Sequence, residues 1–232
     1  MLTRRAALGA LAGLAATRGA RAQGFPSRPI TIVVPYPAGG PVDVTARLIA
    51  QSVGSNLGQP IAVDNRGGAA GLIGSVAVQH AEPDGHTLIL GTNQTHATNQ
   101  SLLKNCPYDA VKDFAPVAGI ADIPHVLVVR HGLEAANVGA LVALAKKSPG
   151  ELNYASTGVG SASHLAAELF KTMAGVDLQH IPFRGAAPMT TELLAGRVDL
   201  TFATLPGVIN YIESGVLRAL AVASPKRAAR PR

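Results

Sequence analysis

Short apolar runs alternate with amphipathic segments along the chain from residue 30 onward. The runs are rich in Val, Ile and Leu and are bounded by Pro, Gly or Asn, which is typical of buried strands. The segments between them repeat apolar residues at helical spacing. Strands are predicted at 30–34, 61–65, 87–90, 126–129, 152–155, 178–181, 198–202 and 217–222. Helices are predicted near 43–53, 72–80, 139–147, 161–173, 188–195 and 207–214. The alternation predicts an α/β fold with parallel sheets and crossover helices.

A long connector divides this pattern into two βαβαβ groups. The first group ends near Leu90 and the second begins near Val126, and the segment from Thr92 to Pro124 between them is polar and contains prolines. Connectors of this length usually join two lobes or carry function. We therefore predict a first lobe at 23–124, a second lobe at 125–222 and a basic tail at 223–232.

Residues 1–22 have the pattern of an export signal. Arg4 and Arg5 precede an apolar stretch at 6–16, and small residues at 20–22 form a cleavage site. The apolar stretch is shorter than the ~20 residues that span a bilayer. We expect export to the periplasm by the general or the twin-arginine route, with cleavage after about Ala22. No cysteine follows the site directly, which argues against a lipid anchor.

The formal net charge of +6 misrepresents the body of the protein. Eight of the 20 Lys and Arg residues lie in the signal or in the last seven positions, which leaves 12 basic residues against 14 acidic ones. Aromatic residues make up only 4% of the chain, so no surface for nucleic acid is expected. The seven histidines are scattered and Cys106 is the only cysteine. We therefore predict no disulfide, metal or cofactor.

The first candidate site is the loop YPAGG that follows the first strand. Gly39 and Gly40 allow the backbone to approach a ligand, and Asp43 lies near the start of the next helix. Free amides at such a terminus can bind an anion, although the loop lacks the lysine of a phosphate-binding loop. An ordinary strand-to-helix turn would have the same local pattern.

The second candidate site has the same form, a strand that runs into YASTGVGSASH. Ser156, Thr157 and the amides around Gly158 and Gly160 could meet a carboxylate, and Ser161 is a good helix N-cap. Ser161 and His164 also raise the alternative of a serine hydrolase. The G-x-S-x-G elbow of many hydrolases is absent.

Two further segments are weaker candidates. Arg184 in IPFRG could bind a carboxylate through two hydrogen bonds, although a loop arginine is more often solvated. The glycine-rich VDNRGGAAGLIG lacks both the G-K-[ST] ending and the G-x-G-x-x-G spacing of nucleotide-binding loops. Its glycines are better explained by close packing of a helix on the sheet.

Six stretches in order carry a resemblance to a known family. The chain resembles the solute receptors of tripartite tricarboxylate transporters, often called Bug-type binding proteins. The stretches are VVPYPAGGPVDVTARLIA, VDNRGGAAGLIGS, AEPDGHTLILGTN, PYDAVKDFAPVAGIADIPHVLVV, SPGELNYASTGVGSASHLAAELFKTMAGVDLQHIPFRGAAPMTTELLAGRVDL and LRALAVAS.

The resemblance implies a type II periplasmic binding protein, in which two α/β lobes close on a small carboxylate and deliver it to transporter membrane subunits. It implies that the loops at 36–40 and 156–161 hold the carboxylate, partly through ordered water. The expected ligand-binding residues are Tyr36, Ala38, Gly39, Gly40, Asp43, Thr92, Ser156, Thr157, Gly158, Gly160, Ser161, Arg184 and Thr204. No catalytic residue is expected, and a complete receptor is expected to be a monomer. The alternatives are an exported hydrolase and a solute-sensing adaptor for a membrane signalling protein.

The chain departs from the family pattern in two places. Ala203 and Thr204 stand where the family commonly has an acidic residue, which disfavours ligands with an amino group. The family's chain also continues beyond the segment matching SPKRAAR and returns to the first lobe, whereas this sequence ends at Arg232. An uncovered first lobe would be less stable or would self-associate.

Overall fold

The computed structural model describes residues 24–226. The predicted signal peptide and tail residues 227–232 lie outside the described residues. The strands are β1 (Ile30–Val34), β2 (Ile61–Asn65), β3 (Thr87–Ile89), β4 (His125–Arg130), β5 (Asn153–Ser156), β6 (Gln179–Pro182), β7 (Leu200–Thr204) and β8 (Leu217–Val222). The α-helices are α1 (Pro41–Leu57), α2 (Leu72–Gln79), α3 (Asn99–Leu102), α4 (Val138–Lys147), α5 (Ala162–Ala174), α6 (Ala186–Leu194) and α7 (Leu205–Glu213).

The strands form two sheets, which confirms the prediction of an α/β fold with two lobes. The first sheet has the order β2-β1-β3 and is parallel throughout. The second has the order β6-β5-β7-β4-β8. In that sheet β5 is parallel to β6 and β7, as predicted.

The prediction of an all-parallel second sheet is wrong at β4. This strand pairs antiparallel with both β7 and β8. It follows an irregular segment and not a crossover helix, so the right-handed crossover rule does not fix its direction. The apolar run of β4 does not indicate the direction of the strand, because residues on both of its faces are apolar.

Helices cover both faces of the second sheet. Leu127 and Tyr154 belong to a core that α4 and α5 complete. Val126 and Ala155, one residue along in each strand, belong to the opposite core, which α6 and α7 complete. Alternate strand residues face opposite sides, so this double burial explains why the strands read as continuous apolar runs.

The first sheet has a smaller core of Ile32, Val34 and Ala46, with α1 packed against it. Pro41 starts α1 and Gly58 ends it in the left-handed conformation, with φ of 66°. Both residues suit these positions, because proline needs no amide donor in the first turn and glycine tolerates positive φ.

Gly67 and Gly74 confirm the interpretation of the glycine-rich segment as a packing device. A Cβ added at Gly74 would lie 2.9 Å from Cα of Pro35, and one added at Gly67 would lie 2.9 Å from the backbone nitrogen of Pro37. Helix α2 therefore packs directly on Pro35, and the segment before α2 packs on the start of the first loop. This contact fixes the position where the chain leaves the sheet.

The connector contains structure that the hydrophobic pattern did not indicate. A single π-helical turn, Gln94–Thr98, runs directly into α3. The hydroxyl of buried Tyr108 donates to the carbonyl of Thr95 at 2.6 Å and so holds the turn in place. Polar, half-buried turns of this kind lack the apolar periodicity that predicts longer helices. Between residues 24 and 226, no helix is long and apolar enough to span a membrane.

Candidate functional site

The carboxyl ends of β1 and β5 bring the two predicted loops to the boundary between the lobes. The first loop is defined as residues 36–40 and the second as residues 157–161. Gln94 Nε2 donates to the carbonyl of Val159 at 3.0 Å and so links the connector to the second loop. A Cβ added at Gly185 would lie 3.5 Å from Cδ of Pro37, so the turn after β6 also approaches the first loop. Crevices at the carboxyl ends of strands are the usual ligand sites of open α/β sheets.

In the first loop, Asp43 holds the backbone and does not face the cleft. Its carboxylate accepts a hydrogen bond from the Gly39 amide at 2.9 Å and one from Arg47 Nε at 3.1 Å, and Asp43 is only 3% exposed. Hydrogen bonding to Arg47 and to the Gly39 amide lowers the pKa of Asp43, despite burial. The amides of Ala38 and Gly40 have no acceptor within residues 24–226 and are open donors of this loop.

A chain of polar side chains crosses from the first loop to the second lobe. Thr92 Oγ1 lies 2.6 Å from the Tyr36 hydroxyl, which donates to Gln94 Oε1 at 3.2 Å. Gln94 in turn donates to Val159, as described above. Burial raises the pKa of Tyr36 to about 12, so the phenol keeps its proton at physiological pH. We call this series of Thr92, Tyr36, Gln94 and Val159 the interlobe relay.

The second loop satisfies most of its own amides. Thr157 donates to Ser163 Oγ at 2.9 Å, Gly158 to Ser156 Oγ at 3.2 Å and Gly160 to His164 Nδ1 at 3.2 Å. The Ser161 amide donates to the carbonyl of Gly158. The Val159 amide has no acceptor in the described part of the chain and is the loop's open donor.

Ser161 and His164 do not form a nucleophile and base. Ser161 Oγ accepts from the backbone amide of His164 at 3.3 Å and lies 2.9 Å from Ser163 Oγ, which confirms its role as N-cap. The imidazole Nδ1 of His164 is turned to the amide of Gly160. A hydrolase would require the imidazole to bond the serine hydroxyl, so the side chains are arranged for structure and not for catalysis.

Two histidines, His164 and His180, pack against the second loop and the end of β5. Ser156 Oγ lies 2.6 Å from His180 Nε2, and Ser156 is fully buried. The centre of the His180 ring lies 4.7 Å from that of Tyr154 and 4.3 Å from that of His164, and the three rings are nearly parallel. We call the rings of Tyr154, His180 and His164 the aromatic stack. Sequence reasoning missed His180, because only the pairing of Tyr154 with His180 across β5 and β6 brings it here.

Two predicted residues lie apart from these contacts. Arg184 is exposed in the turn after β6, with no ion pair to the described residues. Thr204 ends β7, is half-buried and pairs in register with His125. Both lie at the carboxyl ends of strands of the second sheet, on the edge that also carries the second loop. Within residues 24–226, no cluster of three or more His, Cys, Asp or Glu could hold a metal ion.

The sequence matches the profile of the tripartite tricarboxylate transporter family receptor over residues 45–231. The chain belongs to this receptor family. Protein BugT of Bordetella pertussis is 40% identical over 94% of this chain and 67% of its own length. A protein encoded in the tcbD-tcbE intergenic region of a Pseudomonas strain is also 40% identical, over 94% of this chain and 66% of its own. The receptor chain thus spans about two thirds of the length of these relatives.

Solved structures of the receptor family share the fold. An R. palustris protein solved with adipate has 42% identity and a TM-score of 0.85, over 88% of this chain and 68% of its own. The periplasmic binding protein BugD has 37% identity and a TM-score of 0.82 over the same shares. MatC from Rhodopseudomonas palustris, with bound malate, has 34% identity and the same TM-score over 88% of this chain and 69% of its own. Family members are solute receptors and not enzymes, in agreement with the arrangement of Ser161 and His164.

Replacing Ser161 with alanine should lower the free energy of unfolding by about 1 kcal/mol, the usual cost of losing an N-cap. Hydrolysis of an ester panel should stay at background in both proteins. Urea unfolding measures the first effect, with Ser55→Ala as the control, because Ser55 is exposed near the end of α1 and should change stability by less than about 0.5 kcal/mol. Ester turnover that disappears in the variant would contradict the assignment.

Stability should fall as the pH is lowered from 7 to 5. Burial lowers the pKa values of His96, His125 and His180 from the ordinary 6.5. The unfolded chain therefore binds more protons than the folded protein below about pH 6.5, and linkage then favours unfolding. Above about pH 6.5 the neutral histidines make their full contribution to the stability of the folded protein. Melting temperatures measured from pH 5 to 8 test this, and a flat profile would contradict it. Substitution of exposed His131 by asparagine should leave the profile unchanged.

Proposed function

We propose that this protein is a periplasmic receptor that binds a small carboxylate between its two lobes and delivers it to the membrane subunits of a tripartite tricarboxylate-type transporter. The observation that carries the proposal is the interlobe relay, which joins two anion-compatible loops across the boundary of the lobes. Membership of the receptor family supports the same function.

The donors of the cleft suit a carboxylate. The open amides of Ala38 and Gly40 lie at the N-terminus of the 17-residue helix α1, whose dipole favours negative charge. The open amide of Val159 belongs to the loop that Gln94 contacts across the same boundary. The negative charge of Asp43 is neutralised by Arg47, at 3.0 Å, and does not oppose an anionic ligand. Of the thirteen residues of the sequence prediction, Asp43 and Ser161 are proposed to hold the two loops. The other eleven, together with Gln94 and Val159, are proposed to bind the ligand.

The ligand is proposed to be a dicarboxylate. Relatives were solved with adipate and with malate, two acids that carry a carboxylate at each end. Such a ligand can meet one loop with each carboxylate. Ala203 is buried and Thr204 is uncharged, so the second lobe offers no carboxylate there to pair with an amino group. Acidic amino acids are therefore expected to bind less well than dicarboxylates.

The cleft chemistry is sufficient for reversible capture. A charge at one exposed helix terminus gains about 0.3–1 kcal/mol, and hydrogen bonds to a charged group contribute about 1.5–3 kcal/mol each. Several such bonds, less the cost of ordering the cleft, can reach the roughly −8 kcal/mol of a micromolar complex. The difference in affinity between open and closed forms would then let the ligand shift the population toward the closed form.

The remaining features of the receptor are part of the same proposal. The lobes comprise residues 23–124 and 125–222, and the exported product begins near residue 23, without a lipid anchor. The receptor is proposed to act as a monomer. Nucleic acid is not a partner, since the charge balance of the body is slightly acidic.

Thermal unfolding against malate, adipate, citrate, acetate, aspartate and benzoate tests the proposed function. An acid at 100 times its Kd should stabilise the native protein by about 2.7 kcal/mol, which raises the melting temperature by roughly 5–10 °C for a chain of this size. We expect the largest shift with a dicarboxylate. A cooperative transition that none of the acids shifts would contradict the proposal, and the same concentration of sodium chloride serves as the control.

A further inference from the structure

The peptide group between Val159 and Gly160 is held at both of its ends. Its carbonyl accepts a hydrogen bond from Gln94 Nε2 at 3.0 Å, across the lobe boundary. Its N–H donates to His164 Nδ1 at 3.2 Å, within the second lobe. A peptide group is planar, so fixing the N–H also fixes the direction of the carbonyl. The imidazole of His164 therefore orients the atom on which the interlobe relay ends.

The hydrogen bond from Gly160 requires a neutral His164 ring. An imidazole nitrogen accepts a hydrogen bond only while its lone pair is free, whereas both nitrogens of an imidazolium are donors. The contact thus places the proton of neutral His164 on Nε2. Protonation at Nδ1 would replace the acceptor with a donor and turn two N–H groups toward each other.

The aromatic stack opposes charge on its histidines. The rings of His164 and His180 are 4.3 Å apart and inclined by 19°, so two imidazolium rings would repel across this distance. Burial, the nearby His164 and Lys171 lower the pKa of His180, and Glu168 acts in the opposite direction. Loss of the neutral form of either ring disturbs the support of the loop, since His180 also contacts Ser156.

The titratable and charged groups of the stack and its surroundings come from three elements, of which β6 carries His180. Helix α5 carries Glu168 and Lys171, and β5 carries Tyr154. Glu168 Oε1 accepts hydrogen bonds from the Tyr154 hydroxyl and, at 3.1 Å, from Lys171 Nζ. Its negative charge is therefore already shared by two donors. The ammonium of Lys171 lies 5.7 Å from the centre of the Tyr154 ring, and its positive charge disfavours a further positive charge on the neighbouring histidines.

We propose that His164 and His180 are positioning residues of the carboxylate site, and that the site holds its ligand in full only while both rings are neutral. This rests on the proposed function. When the pH falls, a proton on His164 releases the Gly160 amide, the peptide group turns, and Gln94 loses the Val159 carbonyl. The lobes are then less firmly linked, so the carboxylate donors of the two loops are held together less well. Carboxylate affinity decreases below neutral pH as a result.

The test compares wild type with His164→Asn and His164→Ala at pH 5.5, 6.5, 7.5 and 8.0 by calorimetry, using the acid of the panel that gives the largest thermal shift. The side-chain oxygen of asparagine can take the place of Nδ1 but does not titrate. We expect the asparagine variant to bind within threefold of wild type at pH 8.0 and the alanine variant about tenfold more weakly. Between pH 7.5 and 5.5, wild type should lose about tenfold more affinity than the asparagine variant. Comparison at the same pH removes the titration of the acid itself.

Amide NMR of the unliganded protein gives an independent measurement. The Gly160 resonance of wild type should shift as the pH is lowered, and that of His164→Asn should not. His131→Asn, at an exposed site, should behave as wild type in both experiments. Parallel binding profiles for wild type and His164→Asn, or a Gly160 resonance independent of pH, would overturn the inference. If no acid binds wild type at pH 8.0, the proposed function fails, and the NMR titration still decides the protonation of His164.

Discussion

Replacing Gly74 with alanine should lower the free energy of unfolding by about 2 kcal/mol. Helix propensity alone predicts the opposite sign, because alanine is about 1 kcal/mol better than glycine inside a helix. The added Cβ would, however, lie 2.9 Å from both Cα and Cβ of Pro35 and 3.1 Å from the carbonyl of Arg66. Two of these three atoms belong to the backbone. Pro35 and Arg66 therefore cannot move away without a shift of β1 or of the segment before α2. Overpacking of this kind usually costs about 1–3 kcal/mol.

The measurement is the melting temperature, which should fall by roughly 4–8 °C for a chain of this size. Gly119→Ala, outside a helix, is the control for an unhindered change of glycine to alanine, because a Cβ there meets no atom within 4 Å and the φ of Gly119 is not positive. That variant should keep or slightly raise the melting temperature. An equal or higher melting temperature for Gly74→Ala would show that helix propensity dominates and that α2 is not tightly packed against Pro35 and Arg66.

The bounds of several strands could be predicted from the sequence, because they depend on the local pattern of apolar and polar residues. Strands β1, β2 and β8 begin and end where the apolar runs do, because turn-forming or polar residues bound each run. Strand β7 begins at Leu200, two residues later than predicted, a difference within the ordinary uncertainty of element ends. The direction of β4 is set by tertiary pairing with β7 and β8, and its own residues carry no signal for it.

The same division holds for the candidate site. Ser161 could be recognised as an N-cap, because the signal is local to the start of α5. Asp43 was correctly placed at the start of α1, but its contact with the Gly39 amide could not be read from the sequence. Gln94 and His180 were missed, because each acts on an atom more than twenty positions away along the chain. Contacts of this kind depend on strand register and on how the lobes meet.

Replacing Gln94 with glutamate should weaken binding of the preferred carboxylate by about 10–100-fold. The substitution keeps an acceptor for the Tyr36 hydroxyl but removes the donor to the Val159 carbonyl. Gln94 is only 4% exposed, so the new negative charge would be buried opposite a carbonyl oxygen. A buried acceptor without a donor costs about 1–3 kcal/mol, and an unpaired buried charge costs more. The arrangement of the lobes in this structure carries this cost, because in it the side chain meets the Val159 carbonyl.

Calorimetry with the preferred acid measures the affinity, and small-angle X-ray scattering measures the radius of gyration with and without that acid. The glutamate variant should remain more extended than wild type at equal ligand concentration, since closure restores the unfavourable contact. Gln51→Glu makes the same chemical change on the exposed face of α1 and should leave both quantities unchanged. An affinity within twofold of wild type for Gln94→Glu would remove the relay from the binding mechanism. A loss of affinity without any change in radius would place the role of Gln94 in the ligand contact itself and not in closure, because a closure defect must alter the separation of the lobes.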